Sequence, residues 1–206
     1  MTPSLFTSVV EASGVFPVLL DTCALFGPLL RDVLLEAAWD GMYRPHWSNG
    51  ILAELERNLR EKKGWDDRRI NHLGVELRNA FPEALVDVPL GFEQCLTCDP
   101  KDRHVLAAAI VGGCKVLVTQ NTRDFPSSST EPFGIRAVRP GTFLLDLFHL
   151  DRPHMVDCLR RMEARNTRYP QTVEEILHCR GITTQAPVFA RECCEYLGLP
   201  NPSAHQ

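Results

Sequence analysis

The feature that most constrains the fold is a repeated alternation between short apolar runs and longer segments with helical periodicity. Five short segments are predicted to be strands, at about 15–20, 43–47, 85–88, 115–119 and 135–138. The Ser-rich patch at 127–130 is predicted to be a loop. The segment after the second run shows the helical pattern clearly, because apolar residues recur on one face: Ile51, Leu52, Leu55 and Leu59. The alternation indicates an α/β fold with a parallel sheet and crossover helices.

Acidic or amide side chains recur where these elements meet. Asp21 closes the first apolar run, and Glu54 lies in the helix after the second. The helix after the third is predicted to begin at Asp99, with Asp102 in its first turn. Asn121 and Asp124 follow the fourth run. Ligands of open α/β sheets bind beyond the carboxyl ends of the strands, so these side chains are expected at one edge. Converging carboxylates stay ionised near a cation, and oxygen ligands suit hard divalent ions, so we expect a Mg²⁺ or Mn²⁺ site.

Each position taken singly also has a structural interpretation. Glu54 can lie on a solvated helix face, while Asp99 and Asp102 can cap the next helix or complement its dipole, worth about 0.3–2 kcal/mol. Asp21 is harder to explain in this way, because its apolar neighbours predict partial burial and an unpaired buried charge is costly.

The composition narrows the class of protein. A chain of 206 residues with 44% hydrophobic residues can form one core domain and an appendage. Eight cysteines scattered through helices and strands are expected to be reduced, and the single CxxC at Cys95 and Cys98 lacks the partners of a zinc site. No apolar stretch approaches about 20 residues, and the first residues lack signal-peptide features, so we expect a cytoplasmic protein without a membrane anchor.

A formal net charge of −4 would not attract nucleic acid, so phosphate binding would need a local basic patch. The segment 57–69 is a candidate, since it surrounds one tryptophan with six basic side chains: Arg57, Arg60, Lys62, Lys63, Trp65, Arg68 and Arg69. Arg103 and Arg123 would lie beside the metal site. The interleaved Glu and Asp residues leave open the alternative of a solvated, charged helix and loop.

Four sequence segments together resemble the PIN-domain ribonuclease family, in the branch of the VapC-like toxins of bacterial toxin–antitoxin pairs. They are LLDTCAL at 19–25, WSNGILAEL at 47–55, DPKDRHVLAAA at 99–109 and VTQNTRDF at 118–125. They occur in the family's order, and the resemblance covers about residues 15–145. It implies a three-layer fold with a five-stranded parallel sheet in the order 3-2-1-4-5. It also implies Mg²⁺ or Mn²⁺ at the carboxyl edge and hydrolysis of single-stranded RNA.

The resemblance assigns roles to individual residues. Asp21, Glu54 and Asp102 would be catalytic metal ligands, supported by Ser48, Asp99 and Thr119. The family's fourth acidic position falls on Asn121, and Asp124 can supply the missing charge. The resemblance further implies a cognate antitoxin and allows a homodimer. Residues 1–150 would form the nuclease domain, and 151–206 a helical extension of two or three short helices.

Two other functions compete with an endoribonuclease toxin. A PIN-like protein that has lost catalysis could bind RNA or protein, and Asn121 in place of an acid favours that alternative. A phosphatase of the haloacid-dehalogenase type also begins with an aspartate at a strand end. That family needs a second aspartate two residues later, where this chain has Cys23.

Overall fold

The computed structural model describes residues 15–202, so the start of the chain, used above to judge signal peptides, lies outside the described residues. The chain divides into two compact units. We call residues 16–26 with 43–139 the sheet unit, and residues 27–42 with 140–202 the helical unit.

The sheet unit contains five parallel strands, β1 to β5 in chain order: Pro17–Leu20, Arg44–Ser48, Leu85–Val86, Val116–Val118 and Arg136–Val138. Their order is β3-β2-β1-β4-β5, which confirms the predicted topology. The central strand β1 pairs on both sides, with Leu19 opposite His46 of β2 and Leu117 of β4. Val18, Leu19 and Leu20 are completely buried, as expected for a central strand covered on both faces.

The described residues form eleven α-helices, α1 to α11 in chain order: Thr22–Phe26, Pro28–Trp39, Asn49–Lys63, Asp67–Ala80, Arg103–Val111, Ser127–Thr130, Pro140–Leu150, Arg152–Arg165, Val173–His178, Arg180–Thr183 and Pro187–Leu197. Ser48 caps α3, since its Oγ accepts a hydrogen bond from the Ile51 amide at 3.3 Å. The predicted apolar face of α3 is buried, and Gly64 ends the helix with a left-handed φ of 62°.

Three local predictions were wrong. Helix α5 begins at Arg103 and not at Asp99, because Asp99 first forms a turn in which its Oδ1 accepts from the Lys101 amide at 3.0 Å. Residues 127–130 form α6, although their Ser-rich composition predicted a loop. The chain after Leu150 forms four helices, α8 to α11, and not two or three.

The helical unit has its own core. Helix α2 contacts α8 and α10, and α7 contacts α8 and α11. The Phe148 ring meets Phe189 and Tyr196 edge-on, with centroids 6.3 and 5.7 Å away. A side chain on Gly141 would lie 2.5 Å from the Gln185 carbonyl oxygen, so the backbones approach closely there.

All eight cysteines are free thiols, as predicted. Among the described residues, no helix combines the length and apolarity that a membrane crossing needs.

Candidate active site

Asp21 lies at the carboxyl end of β1, where the chain turns into α1. Its Oδ1 accepts from the Thr22 amide at 2.6 Å, and its Oδ2 accepts from Thr119 Oγ1 at 2.7 Å and from Cys23 Sγ at 3.1 Å. Burial raises the pKa of Asp21, these hydrogen bonds lower it, and nearby Glu54 raises it further. No cationic side chain among residues 15–202 pairs with Asp21.

Glu54 lies one turn into α3 and faces the same edge. Thr22 Oγ1 lies 3.3 Å from Glu54 Oε2, and His104 Nε2 lies 3.5 Å from the same oxygen. Arg57 Nη2 lies 3.9 Å from the other oxygen, Oε1. With 32% of its side chain exposed, Glu54 is neither buried nor on a purely solvated face. Glu54 therefore lies near Asp21 and remains accessible to solvent.

Asp102 occupies the N-cap position of α5, but its side chain makes no capping hydrogen bond. Its carboxylate is therefore available for another role. Its pKa is raised to about 6, first by burial and then by the negative charges of Asp124, Asp21 and Asp99, while His104 opposes the shift. Acidic side chains that follow β1, β3 and β4 thus place their negative charges close to Asp102.

Residues after β4 support this edge in different ways. Thr119 is completely buried and, while donating to Asp21, accepts from the Asn121 amide at 3.1 Å. Asn121 itself is exposed and makes no side-chain capping bond to the 3₁₀ turn Thr122–Asp124. Asp124 is half-buried, and its negative charge helps to raise the pKa of Asp102. Asp124, rather than Asn121, is therefore the residue after β4 that interacts electrostatically with Asp102.

Sequence reasoning missed two members of this hydrogen-bond network. Thr22 links α1 to Glu54, and Cys23 Sγ accepts from the Gln120 amide at 3.0 Å while donating to Asp21. Burial raises the pKa of the Cys23 thiol to about 12, so it stays a donor. Both residues directly follow Asp21, and that position at the end of a strand was the available signal. Cys23 is also the position at which a haloacid-dehalogenase-type phosphatase would need its second aspartate.

The donor set fits a hard divalent ion chemically, since it offers carboxylate oxygens. Burial first, and then neighbouring negative charges, raise the pKa values of Asp21 and Asp102. The ligand atoms are not gathered into a closed cage. Within residues 15–202, Asp21, Glu54 and Asp102 do not bring three ligand atoms within 4.8 Å of one another. The three side chains share one edge and one electrostatic field, and an ion would have to draw them together.

One described group does meet that distance, in the helical unit: Asp40, His154 and Cys158. A guanidinium group already holds this position, because Arg161 bonds Asp40 Oδ2 and lies 3.5 Å from Cys158 Sγ. Burial raises the pKa of Cys158 to about 12, which disfavours the thiolate that a metal requires. We interpret this group as an ion-pair network joining α2 to α8.

The basic segment 57–69 spans the end of α3 and the start of α4. Part of it is engaged internally, since Arg60 pairs with Asp67 at 2.7 Å and the Arg69 guanidinium lies 4.4 Å from the Trp65 ring centroid. Lys63 lies 5.2 Å from the centroid of the Phe26 ring.

Lys62 and Arg68 are exposed, and neither side chain makes a hydrogen bond, ion pair or cation–π contact with another described residue. Of the two remaining arginines, Arg103 donates to the Cys98 carbonyl at 3.4 Å, and Arg123 is exposed.

Comparisons with known proteins agree with this architecture. A family model described as PIN domain matches residues 17–123, just over half of the chain, and one described as VapC50 C-terminal domain matches residues 140–195. The chain is 48% identical over 90 residues to a Mycobacterium tuberculosis (strain H37Rv) protein named "Putative ribonuclease VapC50". The alignment covers 44% of this chain and 52% of that protein, so the chain spans about half the length of its curated relative. The domain boundary at residue 150 stays a prediction.

Proposed function

The chain belongs to the PIN-domain family and is VapC-like, and on that premise we propose that it is a divalent-metal-dependent endoribonuclease acting on single-stranded RNA. The observation that carries the proposal is Asp21, a buried carboxylate at the end of β1 that lacks a cationic partner among the described residues. The negative charge of Glu54 acts on Asp21, and that of Asp21 acts on Asp102. The name of the mycobacterial relative supports the same chemistry.

In this proposal Asp21, Glu54 and Asp102 hold Mg²⁺ or Mn²⁺, and Asp124 adds the charge that Asn121 does not. A divalent ion supplies, when bound, an activated water and neutralises charge on the phosphate. Thr119 orients the Asp21 carboxylate through its 2.7 Å hydrogen bond. Ser48 acts indirectly, since it caps the helix that carries Glu54, and Asp99 shapes the turn that presents Asp102.

The basic segment would hold the RNA backbone against this acidic edge. Arg57 supports that role, because its guanidinium lies 3.9 Å from Glu54 and connects the segment to the proposed catalytic site. Lys62 and Arg68 are exposed and uncommitted among the described contacts, so they can neutralise phosphates and release counterions. Arg103 directly follows Asp102 in the sequence, and Arg123 directly precedes Asp124.

The proposal extends to partners. A VapC-like ribonuclease in the cytoplasm would damage its own cell, so we infer that a cognate antitoxin protein restrains it. The homodimer stays a prediction that rests on the resemblance.

Cleavage of single-stranded RNA by Asp21→Asn, Glu54→Gln and Asp102→Asn variants tests the proposal. Each variant should lose activity by orders of magnitude in Mg²⁺ or Mn²⁺, and combined variants should lose little more, since groups acting as one unit fail together. Asp157→Asn is a matched control, because Asp157 is exposed on α8 and pairs with Arg160. An Asp21→Asn chain that cuts RNA at the unsubstituted rate would refute the assignment.

A catalytically weakened RNA-binding module is the second candidate. It is favoured by the exposed amide at Asn121 and by the absence of a closed ligand set at the described edge. Such a protein would bind RNA with a clear salt dependence but leave it intact in both Mg²⁺ and Mn²⁺. The same cleavage experiment therefore separates the two functions.

A further inference from the structure

A cavity of about 180 Å³ opens beside the proposed catalytic edge of the sheet unit. It is lined by the end of β2, the start of α3, the end of β3 with the two residues after it, and two further side chains: Ser48, Asn49, Gly50, Val86, Asp87, Val88, Glu93 and His104. His104 belongs to both places, because its Nε2 lies 3.5 Å from Glu54 Oε2. Its ring is held from the other side, with Nδ1 2.9 Å from the Lys101 carbonyl oxygen. The cavity therefore adjoins a proposed metal ligand through a fixed side chain.

The charges of the cavity select against phosphate, and its geometry does not form a metal site. Asp87 and Glu93 are exposed, and neither side chain makes a hydrogen bond or ion pair with another described residue. Two carboxylates repel a phosphate group. Along residues 15–202, Asp87, Glu93 and His104 do not bring three ligand atoms within 4.8 Å of one another, so they do not form a ready ion site. Carboxylate oxygens accept hydrogen bonds, so the cavity suits a group that presents N–H donors.

The walls of the cavity suit a flat, partly apolar ligand. Val86 is buried and Val88 half-buried, so their side chains offer an apolar surface between the polar groups. Cavities that take drug-sized molecules measure roughly 300–1,000 Å³, so this smaller one suits a single ring system. Unstacked bases of single-stranded RNA combine apolar faces with hydrogen-bonding edges, and proteins read them through those edges.

We propose that this cavity receives one nucleobase of the RNA substrate and that its carboxylates favour guanine, an inference that rests on the proposed function. Guanine presents two neighbouring donors, N1–H and the 2-amino group, which can pair with both oxygens of one carboxylate. Adenine and cytosine place an acceptor nitrogen beside their amino group, and that nitrogen would face the carboxylate. The Asn49 amide can donate to the guanine O6 oxygen.

Binding measurements in an Asp21→Asn chain test this inference without requiring catalysis. The probes are fluorescein-labelled oligouridylates that carry one central guanosine, inosine, adenosine or cytidine. We expect the guanosine probe to bind about tenfold tighter than the adenosine and cytidine probes, the typical discrimination of a bidentate base contact. Inosine lacks the 2-amino group and should fall between them.

Additional Asp87→Asn and Glu93→Gln substitutions locate the contact. At least one of them should bring the guanosine-to-adenosine affinity ratio close to one. Glu83→Gln is the matched control, because Glu83 is an exposed acid just before β3 that does not line the cavity. Equal affinities for all four probes, or a guanosine preference that survives both substitutions, would overturn the inference.

Parallel RNA cleavage by the unsubstituted chain separates this inference from the proposed function. Guanosine-selective binding without cleavage in Mg²⁺ or Mn²⁺ would refute the ribonuclease and keep the cavity assignment. Cleavage without guanosine-selective binding would refute the cavity assignment alone.

Discussion

Asp21 should decide how strongly a divalent ion stabilises the folded chain. An ion that binds only the native state adds RT ln(1 + [L]/Kd) to the free energy of unfolding, about 2.7 kcal/mol when free Mn²⁺ is at 100 times its Kd. For a chain of 206 residues, 1 kcal/mol shifts the melting temperature by about 2–4 °C. We therefore expect Mn²⁺ to raise the melting temperature of the unsubstituted chain by roughly 5–10 °C. The Asp21→Asn variant should show little or no rise.

Without a metal ion, the negative charge of Asp21 should destabilise the folded chain. Burial raises the pKa of Asp21 in the folded state above its ordinary value of 3.8, so the fold disfavours the ionised form. Asp21 then binds more protons in the folded chain than in the unfolded chain, so its contribution to the free energy of unfolding rises as the pH falls toward its ordinary pKa of 3.8. Asp21→Asn removes this titrating group, so its stability should change less over the same pH range. Asp102 contributes with the same sign and keeps the variant's profile from being flat.

Thermal unfolding in EDTA and in Mn²⁺, at several pH values, measures both effects. Asp157→Asn serves as the control that should keep the Mn²⁺ shift and the pH profile. An equal Mn²⁺ shift in Asp21→Asn would refute the reasoning and locate the ion elsewhere. The group of Asp40, His154 and Cys158 would then be the next place to test, by His154→Ala.

Three further predictions concern other parts of the chain. Mn²⁺ affinity should fall as the pH drops through about 6, because protons compete for Asp102, and Asp102→Asn should weaken that dependence in titrations. Replacing Lys62 and Arg68 together by Ala should reduce the log–log salt slope of RNA binding by about 1.4, whereas Arg191→Ala should leave it unchanged. Glu36→Gln should lower the free energy of urea unfolding by about 1–3 kcal/mol, because its carboxylate binds two arginines that are themselves partly exposed. An unchanged urea midpoint would show that these ion pairs do not stabilise the helical unit.

Local periodicity carried much of the information about the fold. The predicted strand segments match all five strands, and the stripe of apolar residues located the buried face of α3. The strand order came from the resemblance to a family, because periodicity alone does not say which strands pair. The helix at 127–130 and the late start of α5 escaped prediction. Short polar segments such as these are decided by a few hydrogen bonds, including the bond from the Lys101 amide to Asp99.

The sequence by itself determined that an aspartate ends a buried strand and that further acids follow neighbouring strands. Only the tertiary structure decided what each side chain contacts. Thr119 reaches Asp21 across 98 positions of the chain, and Arg165 reaches Glu36 across 129. The reason is physical: periodicity records which face of an element avoids water, a local property of the chain. Hydrogen bonds and ion pairs between distant residues depend on how the elements pack, and packing is set by the whole fold at once.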